Sequence, residues 1–135
     1  MKKHIGEIRI KDLKAVARAE RFVEELCDYY HISDEYFANV MLASTEAVRL
    51  MINRGEIPSE VTLTAVKTNK GLKFSIERIN KREVLKADAD PLDTALENQQ
   101  LTRELFIIKS LSDEIKIHDH GRKIDLTFYI TSLNA

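Results

Sequence analysis

Val61-Thr62-Leu63-Thr64-Ala65-Val66, Thr68-Asn69-Lys70-Gly71 and Leu72-Lys73-Phe74-Ser75-Ile76 read as a strand, a turn and a second strand. β-Branched and aromatic residues alternate with polar ones in both runs, the pattern of half-buried strands. Gly71 can take the positive φ that tight hairpin turns use. Two strands joined in this way run antiparallel, so the sheet they belong to is expected to be largely antiparallel.

Upstream lie two helical patterns. Val16, Ala19, Val23, Leu26 and Tyr30 recur at spacings of three and four after Asp12, which places them on one helix face. Cys27 packs beside that face and is read as a structural thiol. His31-Ile32-Ser33-Asp34 breaks the pattern, and Asp34 and Glu35 suit the positive end of a second helix. Phe37, Val40, Met41, Ser44, Ala47, Val48 and Met51 then trace a broad apolar stripe, with Gly55 and Pro58 as stop signals. Ahead of both helices, Ile8 and Ile10 at period two mark a short strand within 4–10.

Downstream, 81–91 is charged and aperiodic and reads as a loop. A third helix is expected from about Glu97, carrying Leu101, Leu105, Ile108 and Leu111. A closing hairpin follows, with strands over 114–118 and 123–131 and a turn at Asp119-His120-Gly121. The order β-α-α-β-β-α-β-β, without internal repeat, predicts an α/β (α+β) two-layer sandwich with about three helices gathered on one face.

Composition narrows the function classes. The 135 residues carry 21 Lys+Arg against 22 Asp+Glu, one cysteine, 4 Gly and 2 Pro. That length fits one domain spanning 1–135 and suffices for a continuous core. A net charge of -1 gives no general electrostatic reason to bind nucleic acid or an anionic membrane. No apolar run approaches the ~20 residues that span a bilayer. The start, Met1-Lys2-Lys3-His4-Ile5-Gly6-Glu7, leads into charged sequence and not into an apolar signal core, so a soluble cytoplasmic protein is expected. A single cysteine forms no internal disulfide, and no Cys/His metal spacing is present.

The element order, the helix carrying Ser44-Thr45-Glu46-Ala47-Val48 and the run Leu105-Phe106-Ile107-Ile108-Lys109-Ser110-Leu111-Ser112-Asp113-Glu114-Ile115 together resemble the anti-sigma-factor serine kinases. These belong to the ATPase superfamily of gyrase, histidine kinases and the ninety-kilodalton heat-shock chaperone. Gly121 through Thr127 also looks like that family's closing hairpin. The resemblance covers nearly the whole chain and implies a Bergerat-type ATPase fold.

The family's nucleotide motifs are altered here by three physical routes. Its first motif sets a Glu as base and, four residues on, an Asn that holds magnesium; here Glu46 is followed by Leu50, which has no oxygen for a hard cation. Asn53 is on another part of the turn, and the family's later His is Arg54, followed by the retained Gly55. The second motif, Asp-x-Gly at a strand end, receives the adenine amino group; Arg78 and Asn80 stand there, and arginine only donates. Glu77 would substitute only after a one-residue register slip, which turns its side chain to the other face. The third motif needs glycines so that backbone amides reach phosphate, and Thr102 and Glu104 replace them. Arg103 and Lys109 remain nearby as candidate phosphate ligands.

The resemblance therefore implies a pseudo-kinase: a regulatory protein-binding module that neither binds nor hydrolyses ATP, needs no cofactor, and acts in transcription regulation by partner switching. A sigma factor or an anti-anti-sigma protein would be the partner, and the family's members also dimerise. The alternative is a divergent ATP- and magnesium-dependent serine/threonine-protein kinase with Glu46 as base and Arg78, Asn80, Arg103 and Lys109 around the nucleotide. Outside these motifs, His118-Asp119-His120 reads as a solvated turn without a third ligand cluster. Arg78, Lys81, Arg82 and Lys86, offset by Glu77, Glu83, Asp88 and Asp90, read as a solvated basic loop. Tyr29, Tyr30, Tyr36 and Phe37 cluster at the first interhelical turn, where core packing and interface anchoring both remain open.

Overall fold

The computed structural model describes residues 3–53, 60–79 and 103–130. Among these residues, five strands form one sheet: β1 (Lys3–Ile10), β2 (Val61–Lys67), β3 (Gly71–Arg78), β4 (Glu114–His118) and β5 (Lys123–Tyr129). The α-helices among them are α1 (Val16–Tyr29), α2 (Asp34–Asn53) and α3 (Arg103–Leu111). The strand order is β1-β2-β3-β5-β4, and every neighbouring pair is antiparallel. The fold is thus α+β in two layers, as the order of elements predicts. Most expected boundaries agree within two residues; α3 begins at Arg103 among the described residues, and the expected loop over 81–91 lies outside them.

Alternation along the strands separates the two sheet faces. Val61, Leu63 and Ala65 on β2, Leu72, Phe74 and Ile76 on β3, and Ile124 and Leu126 on β5 are fully buried, with Phe128 nearly so. Cross-strand register brings them together, with Leu63 opposite Ile76, Phe74 opposite Leu126, and Leu72 opposite Phe128. Phe74 and Phe128 meet edge to face at 6.0 Å. The helices cover this face: α1 contributes Val16, Ala19, Val23 and Leu26, α2 contributes Val40, Ala43, Ala47, Val48 and Met51, and α3 contributes Leu105 and Ile108. Complete burial of a side chain such as Phe74 is worth about 1.5–3 kcal/mol.

Local chemistry sets the joints. Asp12 caps a short 3-10 turn (Leu13–Ala15) by accepting from the Ala15 amide at 3.1 Å before α1 begins. At the other end of α1, His31 takes φ 53°, and the Ile32 amide donates to the Cys27 carbonyl at 2.9 Å, so the chain turns sharply into α2. Inside α2, the buried Thr45 hydroxyl donates to the Met41 carbonyl at 2.8 Å and the Ser44 hydroxyl to that of Val40, which satisfies both without core partners. A β-bulge between His4 and Gly6 kinks β1, and the Phe22 ring lies 3.0 Å from where a Cβ on Gly6 would stand.

Gly71 adopts φ 151°, as the turn chemistry anticipates. A Cβ there would sit 2.1 Å from the Phe128 carbonyl oxygen and 2.6 Å from the Ile130 nitrogen. Both atoms are backbone of the adjoining strand and have no rotamer by which to give way. Gly71→Ala is expected to cost about 2–4 kcal/mol, read as a lower urea midpoint with an unchanged m-value.

Candidate functional site

The positions the resemblance singles out fall on α2, the end of β3, and α3. Glu46 is half-buried on α2, and its carboxylate pairs with Arg49 at 3.3 Å one turn away. Also one turn on from Glu46, Leu50 is 9% exposed and belongs to the apolar core. Asn53 is exposed. A hydrocarbon therefore stands where a metal-holding amide would be needed.

Arg78 departs from the solvated loop expected for it. It is the last residue of β3, 4% exposed, and it follows Leu72, Phe74 and Ile76 in the alternation toward the helices. The strand runs two residues farther than the apolar pattern suggests because its end is held on both sides. The Arg78 amide donates to the Arg122 carbonyl and the Ile79 amide to that of Glu60, each at 2.9 Å. Glu77 lies opposite Thr62 and Lys123, on the other face, with Arg122 at 3.7 Å. The register is regular, so Glu77 is not turned inward to replace an adenine acceptor.

Arg103 and Lys109 are both exposed on α3. They are six residues apart, about 240° around a helix axis, and so do not converge on one point. Lys109 sits in the last turn, where a cation complements the helix dipole. Asn80 and Thr102 lie outside the described residues.

A second polar cluster is built across β3, β5 and β4 on the face away from the helices. The Ser75 hydroxyl donates to Asp125 Oδ1 at 2.6 Å, and His118 Nε2 lies 2.8 Å from Asp125 Oδ2. An ionised carboxylate only accepts, so His118 donates from Nε2. Burial raises the Asp125 carboxyl, but the bonds from Ser75 and His118, with Lys123 and Lys73, outweigh it and hold the carboxyl below its ordinary value. The carboxylate stands between serine and imidazole, so the order is not that of a Ser-His-Asp triad, in which the imidazole meets the serine directly. This arrangement locks three strands together.

Sequence reading missed this cluster because its members come from three separate segments. Its one signal is Asp125 between Ile124 and Leu126, an acid at an outward strand position whose partners only the register reveals. His118 ends the strand expected over 114–118 and belongs to the sheet and not to the solvated turn, while Asp119 makes the turn at φ 52°. Among the described residues, no group of three or more His, Cys, Asp or Glu could hold a metal ion. No helix among them is long and apolar enough to cross a membrane. Cys27 is buried, its thiol pushed up to about 11 by burial, and a thiolate nucleophile is thereby disfavoured.

Asp125→Asn is expected to cost about 1.5–3 kcal/mol at pH 7, the range for hydrogen bonds to a charged group. A carboxyl depressed in the fold stabilises above its unfolded value of about 4, and that contribution is lost as pH falls through the folded value. The gap between wild type and variant should therefore narrow below about pH 4, checked by urea titrations at pH 7 and pH 3.

Compared with known proteins, the chain matches no family model and no curated protein.

Proposed function

We propose that this chain is a regulatory protein-binding module of the anti-sigma-factor kind, with a Bergerat-type ATPase fold that has lost its nucleotide chemistry. The observation that carries the reading is the pair Leu50 and Arg78, both buried on the helix side of the sheet. By the resemblance, these are the positions of the magnesium-holding Asn and the adenine-accepting Asp. One now presents hydrocarbon and the other only hydrogen-bond donors. The strand order and the placement of α1 and α2 between β1 and β2 are compatible with that fold.

The mechanism is competitive partner exchange. A sigma factor or an anti-anti-sigma protein docks on the module, and the two compete or couple through its surface. The competing reading, a divergent serine/threonine-protein kinase, requires Glu46 free to act as base and Arg103 or Lys109 on phosphate. Glu46 is engaged by Arg49, and the two bases stand on different sides of α3.

Melting with and without millimolar ATP and magnesium separates the two. A ligand at 100 times its dissociation constant adds about 2.7 kcal/mol, a shift of several degrees for a domain this size. No shift is expected, and a clear one would put the kinase first. Leu50→Asn should lower stability by about 2–4 kcal/mol and still show no magnesium-dependent ATP binding by calorimetry. Binding in that single variant would mean that Arg78 is no obstacle to adenine.

A further inference from the structure

From Phe22 to Val48 the chain carries Glu24, Glu25, Asp28, Asp34, Glu35 and Glu46 but no Lys or Arg, although the whole chain has 21 bases to 22 acids. The first five flank the turn between α1 and α2 and are exposed. Among the described residues, none of the five forms an ion pair. Between the helices lies a notch of about 240 Å³ with Cys27, Ile32 and Phe37 as an apolar floor and Glu24, Asp28 and Asp34 at its rim. His31 completes the lining. Tyr29, next to Asp28, is 76% exposed, with its ring held edge-on against Tyr30 at 4.9 Å.

Helix electrostatics make this charge costly to the free protein. The last turn of α1 has no basic residue and contains Asp28, so a carboxylate faces the negative end of the helix. Asp34 and Glu35 are well placed for α2, but they add to the field at the same turn. A fold selected only for its own stability would set Lys or Arg at the end of α1.

We propose that this notch docks a basic segment of the partner protein, with a Lys or Arg stem lying on the Cys27, Ile32 and Phe37 floor and its charge among Glu24, Asp28 and Asp34. The inference deepens the partner-binding reading above and rests on it. Lysine and arginine bury their methylene stems on apolar surface while the charged head stays at the rim. Exposed tyrosine beside such a pocket supplies rigid contact area of the kind enriched at interfaces.

The test is a titration of the full chain, followed by amide resonances, with a short helical peptide of Lys and Leu and with its Glu and Leu counterpart. The Lys peptide should shift residues 24–37, bind about tenfold more weakly to Glu24→Gln/Asp28→Asn, and lose affinity as salt rises. The Glu peptide should shift nothing. Asp28→Lys should melt higher than wild type, because it relieves the helix end, and yet fail to bind the Lys peptide; this separates lost docking from lost folding.

Equal binding by the variants, shifts away from the turn, or no binding at millimolar peptide would each overturn the proposal. So would a dimer in solution whose interface covers 24–37, or calcium displacing the peptide from the same resonances. The melt with ATP reports separately: a nucleotide shift removes the pseudo-kinase reading and leaves the notch to stand or fall on the peptide.

Discussion

Strand β3 lies between β2 and β5, with seven residues of each in register against it. Its own alternation then dictates what each layer must contain. Leu72, Phe74 and Ile76 require an apolar cover, which α2 provides, and Lys73, Ser75 and Glu77 must be satisfied on the opposite face. A slip of one residue would exchange these sets. The backbone contact at Gly71 resists such a slip, because the adjoining strand passes where any larger residue would place its Cβ.

That register also decides the character of the candidate site. Arg78 faces the helices because it is two residues beyond Ile76, and Glu77 cannot, because it is one residue beyond. No side-chain rotation exchanges them. Across the layer, Leu50 follows from the same kind of constraint: it lies two residues before Ile52 and one before Met51, in a stretch of α2 that is buried throughout. Leu50 and Arg78 are thus both fixed by packing and register.

How much of this was readable from the chain depends on whether the signal was local. The β2–β3 turn, the α2 stripe and the alternation of β5 each announce themselves within a dozen residues, and the sandwich follows. The apolar pattern stops at Ile76 and so puts Arg78 on a solvated loop. What extends the strand is backbone hydrogen bonding to Arg122 and Glu60, residues far off in sequence. The Asp125 cluster was invisible for the same reason: Ser75 and His118 meet it only through register. Local periodicity reports burial; it carries no record of which outward polar residues find each other.

The two exposed regions differ in how their charge is balanced. On the sheet face, Asp125 has His118, Glu77 has Arg122, and Glu114 has Lys70 at 3.0 Å and the Tyr129 hydroxyl at 2.5 Å. These bonds hold the Glu114 carboxyl below its ordinary value, the Tyr129 hydroxyl bond foremost. Each carboxylate there is answered from within the chain, so the face gains little by receiving a cation. At the α1–α2 turn five carboxylates have no such answer among the described residues, and the end of α1 adds its own negative pole. Surface ion pairs are individually worth little, so no single one of these contrasts would matter. Concentrated at one turn, around an apolar notch, charge unanswered among the described residues favours association with a cation there.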